Sequence, residues 1–230
     1  MLQLERQKDL MRLLQANKSM TVKELCAALF ASPATVRRDL EALEQAGLLT
    51  RSFGGAVLNE TFPDQQPFAV RSGEHTAQKK KAAAKAAAFI HPGDTVFLDA
   101  SSTTYHLVPY LRDIPDLTVM TNGPRTCLAL AECGVRSFCT GGEMLEGSLA
   151  LVGSDAEHFV RGVRAHVCLF SARGVCNGEL TDSSKGERDI KIAMIGQSAR
   201  SVFLCDASKE GKSYPYVITS LDRVDETIIE

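Results

Sequence analysis

The chain lacks any apolar run approaching the roughly 20 residues that cross a bilayer, and its N-terminus has no signal-peptide pattern. These absences argue against a membrane protein and a secreted one, so we expect a soluble, cytoplasmic protein. The seven cysteines form no C-x-x-C pair and stand in apolar surroundings. Their spacing gives little support to a zinc site or a disulfide framework and favours reduced, mostly buried thiols. We expect neither a metal nor a cofactor.

A strong charge of one sign is also absent, because the formal net charge is only −2. The charge is unevenly placed, however. Residues 1–59 carry eight Lys and Arg against six Asp and Glu, a net of +2, which leaves −4 for the remaining residues. A mildly basic N-terminal region followed by an acidic remainder argues against a protein that coats nucleic acid. If this N-terminal region binds DNA, its affinity depends on a few specific contacts and on two such regions that bind together.

Residues 32–55 predict a helix followed by a β-hairpin. Ser32 is a good N-cap residue, and Pro33 stands at the first helical position, where its missing N–H costs nothing. One buried face is predicted by apolar residues at helical spacing: Val36, Leu40 and Leu43. Three polar residues in the first turns fall off that face: Thr35, Arg37 and Arg38. Gly47 is expected to end the helix.

The preceding residues complete a helix-turn-helix pattern. The range 4–16 reads as a first helix, and Thr21 with Glu24 forms a capping box that opens a second, short helix. A short turn then leads to the helix that begins after Ser32. The hairpin from 49 to 58 is expected to form a wing.

This arrangement is typical of a domain that places its second helix in the major groove and grips phosphates with the wing. We expect Asp39 to hold an arginine in position while Arg37 or Arg38 reaches DNA. The alternative is a small helical subdomain whose arginines are merely solvated. The predicted DNA-binding residues are Thr21, Ser32, Thr35, Arg37, Arg38, Arg51, Gly54 and Gly55.

A change of pattern separates two domains. Residues 1–58 form the predicted DNA-binding domain, and 59–74 carry two prolines without periodicity, as expected of a linker. Residues 75–230 alternate short apolar strands with helices, including a helix predicted over 102–111. This alternation predicts an α/β domain with a mostly parallel sheet.

Polar clusters follow several of these strands, and ligands of open α/β sheets bind at the carboxyl ends of the strands. Hydroxyls and backbone N–H groups that open a helix favour phosphate, glycines allow close approach, and a lysine supplies a cation. We therefore expect a site for a phosphorylated ligand. Its predicted residues are Asp99, Ser101, Ser102, Thr103, Thr104, Thr121, Asn122, Gly141, Gly142, Lys191, Asp206 and Lys209.

Two interpretations of Lys191 stay open. With Glu187 it forms an i, i+4 pair that lies either on the surface or in the pocket. In the pocket, Asp99, Glu187 and Lys191 could instead supply acid/base groups to an enzyme that interconverts sugar phosphates. No arrangement in the sequence places a base near a substrate carbon, so we favour a binding protein over an enzyme and assign no catalytic residue.

With these motifs in view, the chain resembles the DeoR family of bacterial transcriptional regulators. The resemblance is carried by three segments in the first domain and by the strand-end motifs of the second: Thr21–Leu25, Ser32–Leu40, Gly47–Arg51, Pro92–Asp94, Asp99–Thr104 and Asp206–Lys209. A departure is Ser101, where the family usually has glycine.

The resemblance implies a winged helix-turn-helix domain followed by a larger α/β sensor domain that resembles ribose-5-phosphate isomerase in fold. It also implies a sequence-specific repressor of genes for carbohydrate catabolism or transport, which a phosphorylated sugar releases from double-stranded operator DNA. We expect a homo-oligomer, either a dimer or a tetramer, because one weakly basic DNA-binding domain would bind DNA poorly.

Overall fold

The computed structural model describes residues 3–45, 49–52, 54–58 and 68–230. These residues fall into two compact units, the first within 1–67 and the second spanning 68–230. The expected helix end at Gly47 lies outside the described residues. No helix among the described residues is long and apolar enough to cross a membrane.

The first unit combines three helices with a small antiparallel sheet. Its helices are α1 (Gln3–Asn17), α2 (Val22–Leu29) and α3 (Pro33–Gln45), and its strands are β1 (Ser19–Thr21), β2 (Leu49–Ser52) and β3 (Gly55–Leu58). The sheet order is β1-β3-β2, so the predicted hairpin gains a third strand that the sequence did not indicate. The predicted apolar face of α3 is buried in this unit.

Local capping interactions fix where α2 and α3 begin. Thr21 Oγ1 accepts a hydrogen bond from Glu24 N, and the Glu24 carboxylate accepts one from Thr21 N, which confirms the capping box. Phe30 ends α2 in the left-handed conformation, at φ 48°. Ser32 Oγ then accepts from Thr35 N at 3.3 Å and caps α3 as predicted.

The second unit alternates helices and strands as the sequence indicated. Its helices are α4 (Phe68–Gly73), α5 (Thr76–Ala86), α6 (Ser102–Tyr105), α7 (Val108–Leu111), α8 (Pro124–Glu132), α9 (Ser154–Arg161) and α10 (Lys185–Gly196). Its strands are β4 (Thr95–Leu98), β5 (Thr118–Thr121), β6 (Arg136–Cys139), β7 (Glu143–Met144), β8 (Leu151–Val152), β9 (Ala165–Phe170), β10 (Gly174–Cys176), β11 (Glu179–Asp182), β12 (Ser198–Cys205), β13 (Tyr216–Ser220) and β14 (Glu226–Ile229).

Six of these strands form one parallel sheet in the order β14-β12-β9-β4-β5-β6. Successive strand residues point to opposite faces. Thus Val96 and Leu98 pack into one buried apolar cluster, while Phe97 packs into the other. The predicted α/β fold with a mostly parallel sheet is confirmed, and all six strands present their carboxyl ends at one edge.

Three expectations need correction, and two features were not predicted. The unpredicted features are the antiparallel sheet β10-β11-β13 and the hairpin β7-β8. The helix predicted over 102–111 is broken into α6 and α7, because Pro109 lacks an N–H and tolerates only the first turn of a helix. Part of the predicted linker, 68–73, is α4, held by the buried side chain of Phe68. Of the seven cysteines, only Cys168 and Cys205 are buried, so most thiols are partly exposed.

Candidate functional site

Helix α3 presents two arginines to solvent. Arg37 and Arg38 are exposed, whereas Val36 and Leu40 on the same helix are buried. The hydroxyls of Ser32 and Thr35 lie 2.9 Å apart and belong to the helix cap. Arg37 and Arg38 are therefore cationic groups that α3 exposes to solvent.

The arginine that Asp39 holds is Arg6, on α1. Arg6 Nε donates to Asp39 Oδ2, and Arg6 Nη2 lies 3.3 Å from Oδ1. Gln7 Nε2 lies 3.4 Å from the same Oδ1. Asp39 is buried. Its ion pair fastens α3 to α1, and Arg37 and Arg38 take no part in it.

The wing residues have mainly structural roles of their own. Arg51 N donates to Glu44 Oε1 at 2.8 Å, and Arg51 Nε lies 3.8 Å from Oε2, so the exposed side chain stays near α3. Gly54 has φ +82° in the turn between β2 and β3. A Cβ on Gly55 would lie 2.4 Å from Met20 O, so the approach of β1 to β3 requires glycine. Thr21 is occupied in the capping box.

In the second unit, Asp99 organises the loops that follow β4 and β9. Its Oδ1 accepts from Ser101 N at 3.2 Å and from Thr104 Oγ1 at 2.8 Å. Its Oδ2 accepts from Ser171 N at 3.1 Å. Ser101 Oγ in turn accepts from Thr104 N and caps α6. Asp99, Ser101 and Thr104 thus build the loop from within.

Lys209 stands where three strands of the sheet end. Its ammonium lies 2.8 Å from Ser171 Oγ and 3.3 Å from Thr103 Oγ1, and it follows β12. Burial lowers the pKa of Lys209 to about 8, assisted by the charges of Lys79 and Arg71 and opposed by Asp206. The structure thereby brings together Lys209, Thr103 and the neighbouring buried Ser102. Ser171 was missed, although it also follows a strand and the same rule would have found it.

Asp206 and Lys79 flank Lys209. Burial alone would raise the pKa of Asp206, but a hydrogen bond from Ser208 Oγ and the charges of Lys209 and Lys79 outweigh burial and hold that pKa below its usual value. Lys79 is buried and donates to the carbonyl oxygens of Arg71 and, at 2.8 Å, Glu74. Its pKa is lowered, chiefly by burial.

The ends of β5 and β6 contribute polar atoms and glycines. Thr121 Oγ1 accepts from Gly123 N at 3.0 Å, and Asn122 Nδ2 donates to Leu151 O at 3.0 Å. Asn122 Oδ1 is buried and has no hydrogen-bond partner among the described residues. Gly141 and Gly142 both have positive φ, and a Cβ on Gly142 would lie 2.5 Å from Val152 O. Backbone packing already accounts for Gly142.

Lys191 lies in a buried cluster of carboxylates and not in a surface pair. Its ammonium contacts Asp182 Oδ2 and lies 3.6 Å from Glu187 Oε2 and 3.7 Å from Asp99 Oδ2. Although burial opposes the charge, these carboxylates raise the pKa of Lys191. Burial likewise opposes ionisation of Glu187, but Lys191, Arg173 and Arg71 lower its pKa to about 2. Lys191 therefore keeps its proton near neutral pH, where it cannot act as a base.

Two arginines of this site were missed from the sequence. Arg71 lies on α4, in the range taken for a linker, and Arg173 follows β9. Burial and the positive charge of Arg173 lower the pKa of Arg71 to about 10, against the opposing effect of Glu187 and other carboxylates. The described residues contain no group of three or more His, Cys, Asp and Glu side chains arranged to hold a metal ion.

A winged helix-turn-helix unit followed in the chain by an α/β unit with charged groups at its strand ends is typical of DNA-binding transcriptional regulators. Two protein-family models match the chain. Residues 6–62 match the DeoR-like helix-turn-helix domain, and residues 74–230 match the DeoR C-terminal sensor domain. The chain belongs to the DeoR family of transcriptional regulators, as its motifs indicated.

Three relatives span most of the chain. The transcriptional regulator YulB of Bacillus subtilis is 33% identical, over 100% of this chain and 90% of the relative. The transcriptional repressor AccR of Agrobacterium fabrum is 32% identical, over 96% of this chain and 86% of its own length. The L-fucose operon activator of Escherichia coli is 30% identical, over 97% and 93%.

Among solved structures, eIF2B delta from Chaetomium thermophilum matches 86% of this chain and 63% of its own, with 13% identity and a TM-score of 0.51. This likeness concerns the fold alone. A D-ribose-5-phosphate isomerase in complex with phospho-erythronic acid matches 59% of this chain at 17% identity, with a TM-score of 0.45. The chain spans 54% of that isomerase.

Proposed function

We propose that this DeoR-family regulator represses genes of carbohydrate catabolism or transport and that a phosphorylated sugar releases it from operator DNA. The observation that carries the proposal is the position of Lys209, whose ammonium points at the hydroxyls of Thr103 and Ser171 where β4, β9 and β12 end. A cation among hydroxyl groups at this edge of a parallel sheet suits a phosphate group.

The rest of the site suits the sugar. Asn122 Oδ1, which lacks a partner among the described residues, is a buried acceptor for a sugar hydroxyl. The hydrogen bond between Thr104 and Asp99 stabilises the loop after β4. Asp206 places a negative charge beside Lys209. In this proposal the phosphate lies at Ser102, Thr103, Ser171 and Lys209. The polyol part extends from there toward the ends of β5 and β6.

Residues 1–58 bind operator DNA in this proposal, and 75–230, preceded by α4, sense the sugar phosphate. Exposed Arg37 and Arg38 enter the major groove, and Arg51 on the wing approaches the backbone. Two DNA-binding domains on one homo-oligomer supply the affinity that a single weakly basic domain lacks. The regulator acts in the cytoplasm, where its operator lies.

Sugar phosphate and operator oppose each other by linkage. If the sugar phosphate binds better to the conformation that DNA disfavours, DNA must weaken sugar-phosphate binding by the same factor. AccR is named a transcriptional repressor, which supports repression. The relative named L-fucose operon activator indicates that similar proteins also activate transcription. The sign is set by where the operator lies relative to the promoter.

The test begins with an operator that the full-length protein selects from a random-sequence DNA pool. Fluorescence anisotropy then measures operator affinity with glucose 6-phosphate, fructose 6-phosphate, ribose 5-phosphate, glycerol 3-phosphate and their unphosphorylated parents. We expect one phosphorylated compound to weaken operator binding while its parent does not. Lys209→Ala should bind operator normally but lose the response, and Lys212→Ala, which changes an exposed lysine nearby, should keep it. Operator affinity that stays constant across such a panel would refute release by a phosphorylated sugar.

A further inference from the structure

Helix α4 is the first element of the second unit, and residues 59–67 connect it in sequence to the first unit. It is short, yet it contacts α5, α6 and the loop between β7 and β8. Of the described helices in the second unit, α4 is the one nearest in sequence to the DNA-binding unit.

One group of contacts ties α4 to the loop that carries the phosphate site. The ring of Phe68 is buried and meets Tyr105 edge-on at 5.4 Å. Tyr105 is the last residue of α6, two positions after Thr103. His106 Nε2 lies 3.3 Å from Ser72 O, at the other end of α4. The phosphate loop and α4 thus share a packed interface.

A second group of contacts ties α4 to the loop between β7 and β8 and to α5. Phe68 N donates to Gly147 O at 2.9 Å. Lys79, buried on α5, donates to the carbonyl oxygens of Arg71 and Glu74 and so closes the C-terminal end of α4. Helix α4 is therefore held at both ends.

Arg71 faces the charged groups of the effector site. Its guanidinium lies over the Phe68 ring at 5.8 Å. Burial lowers the pKa of Arg71, and the negative charges of Glu187, Asp182 and Asp99 act in the opposite direction. Arg71 also repels two other cations of the site, Arg173 and Lys209. An anion placed among three cations relieves this repulsion, so Arg71 gains more from an anionic ligand than from a neutral one.

We propose that Arg71 contacts the anionic effector together with Lys209, and that α4 thereby couples occupation of the effector site to operator binding. This inference rests on the function proposed above. In this proposal the effector competes with the carboxylates around Lys191 for the guanidinium of Arg71. In the same proposal, drawing the guanidinium toward the effector shifts α4 as a unit and changes its contacts with Tyr105 and Gly147.

The proposal separates Arg71 from its neighbour Arg125, which supplies the matched control. The Arg125 guanidinium also lies over the Phe68 ring, at 5.5 Å, but Arg125 is exposed and belongs to α8. Replacing either residue by glutamine removes one positive charge and one contact with the same ring. Of these two changes, Arg71→Gln is the one that removes a charge on which Glu187 and Asp182 act electrostatically.

The experiment uses the full-length protein, the selected operator and two probes: inorganic phosphate and the sugar phosphate from the panel that weakens operator binding most. Melting curves first check that both variants fold. We expect wild type and Arg125→Gln to lose operator affinity by roughly 5- to 150-fold at saturating sugar phosphate. Arg71→Gln should bind operator like wild type without the probe, bind both probes more weakly, and show less than about a twofold loss of operator affinity once saturated.

The outcomes are separable. If saturated Arg71→Gln still releases operator by the wild-type factor, the coupling role of Arg71 is refuted. If it binds the probes as tightly as wild type does, the contact is refuted. If wild type itself shows no response to any compound of the panel, the proposed function fails, and the Arg71 inference fails with it. Arg71→Lys keeps the charge and should restore probe binding in part, because a single ammonium lacks the two-pronged geometry of guanidinium.

Discussion

Lys191→Met tests whether the carboxylate cluster depends on one buried cation. The ammonium of Lys191 contacts Asp182 and lies within 3.7 Å of oxygens of Asp99 and Glu187. Methionine keeps the unbranched shape but leaves these carboxylates without their shared counter-ion. Breaking a buried ion pair by removing one partner costs about 3–5 kcal/mol. For a protein of this length, that loss lowers the melting temperature by about 6–20 °C.

The assay is urea unfolding followed by circular dichroism, with Lys185→Met as the control. Lys185 lies on the same helix and pairs with Asp189 at 2.7 Å, but its side chain is 69% exposed. Solvent screens an exposed pair of this kind, so its contribution to stability is small. The control should therefore change stability far less than Lys191→Met.

The dependence on pH sharpens the test. The pKa of Glu187 is lowered to about 2 in the folded protein, below the unfolded value of about 4.3. A lowered pKa stabilises the fold above the unfolded pKa, and this contribution is lost as pH falls toward the folded pKa. The stability gap between wild type and Lys191→Met should thus be full at pH 7 and shrink below about pH 4. A loss under about 1 kcal/mol, or a gap that widens in acid, would refute this account.

Further predictions concern the two candidate surfaces. Since Lys209 has a pKa of about 8, binding of the effector phosphate should weaken as pH rises through that value and the ammonium loses its proton; calorimetry across pH 6 to 10 measures this, and a flat profile would count against Lys209 as the phosphate partner. Asp39→Ala should destabilise the first unit by about 1.5–3 kcal/mol in thermal unfolding, because it removes a charged hydrogen-bond partner of Arg6. Arg38→Ala should leave melting unchanged and, if Arg38 contacts a base, weaken operator binding by about 1–3 kcal/mol; equal weakening on random DNA would assign the residue to phosphate.

The sequence was most informative where the signal is local. The capping residues Thr21 and Ser32 and the short strand at 95–98 follow from interactions within a few positions, and the structure has them where expected. The polar residues after strands could be placed together because parallel strands share one carboxyl edge. This topological rule brought Thr103 and Lys209 to one site although they are far apart in the chain.

Long-range pairing escaped the sequence. Asp39 follows Arg37 and Arg38 in the chain, yet its partner Arg6 comes from another helix. Strand β13 pairs with β11 antiparallel through a register shift at Leu180 and Thr181, which no periodicity indicates. Arg71 stood in a stretch without pattern, because a helix of six residues shows less than two turns of periodicity. These features depend on tertiary packing and not on local preference.

The hydrogen bonds of Asp99 have a consequence for genetics. This one carboxylate joins two loops, accepting from Ser101 and Thr104 after β4 and from Ser171 after β9. A screen for mutants that no longer respond to inducer would return position 99 alongside Lys209. The two classes would share a phenotype but not a cause, since one loses a ligand contact and the other loses the shape of the pocket. Only the loop mutants should be rescued by second-site changes that restore the fold.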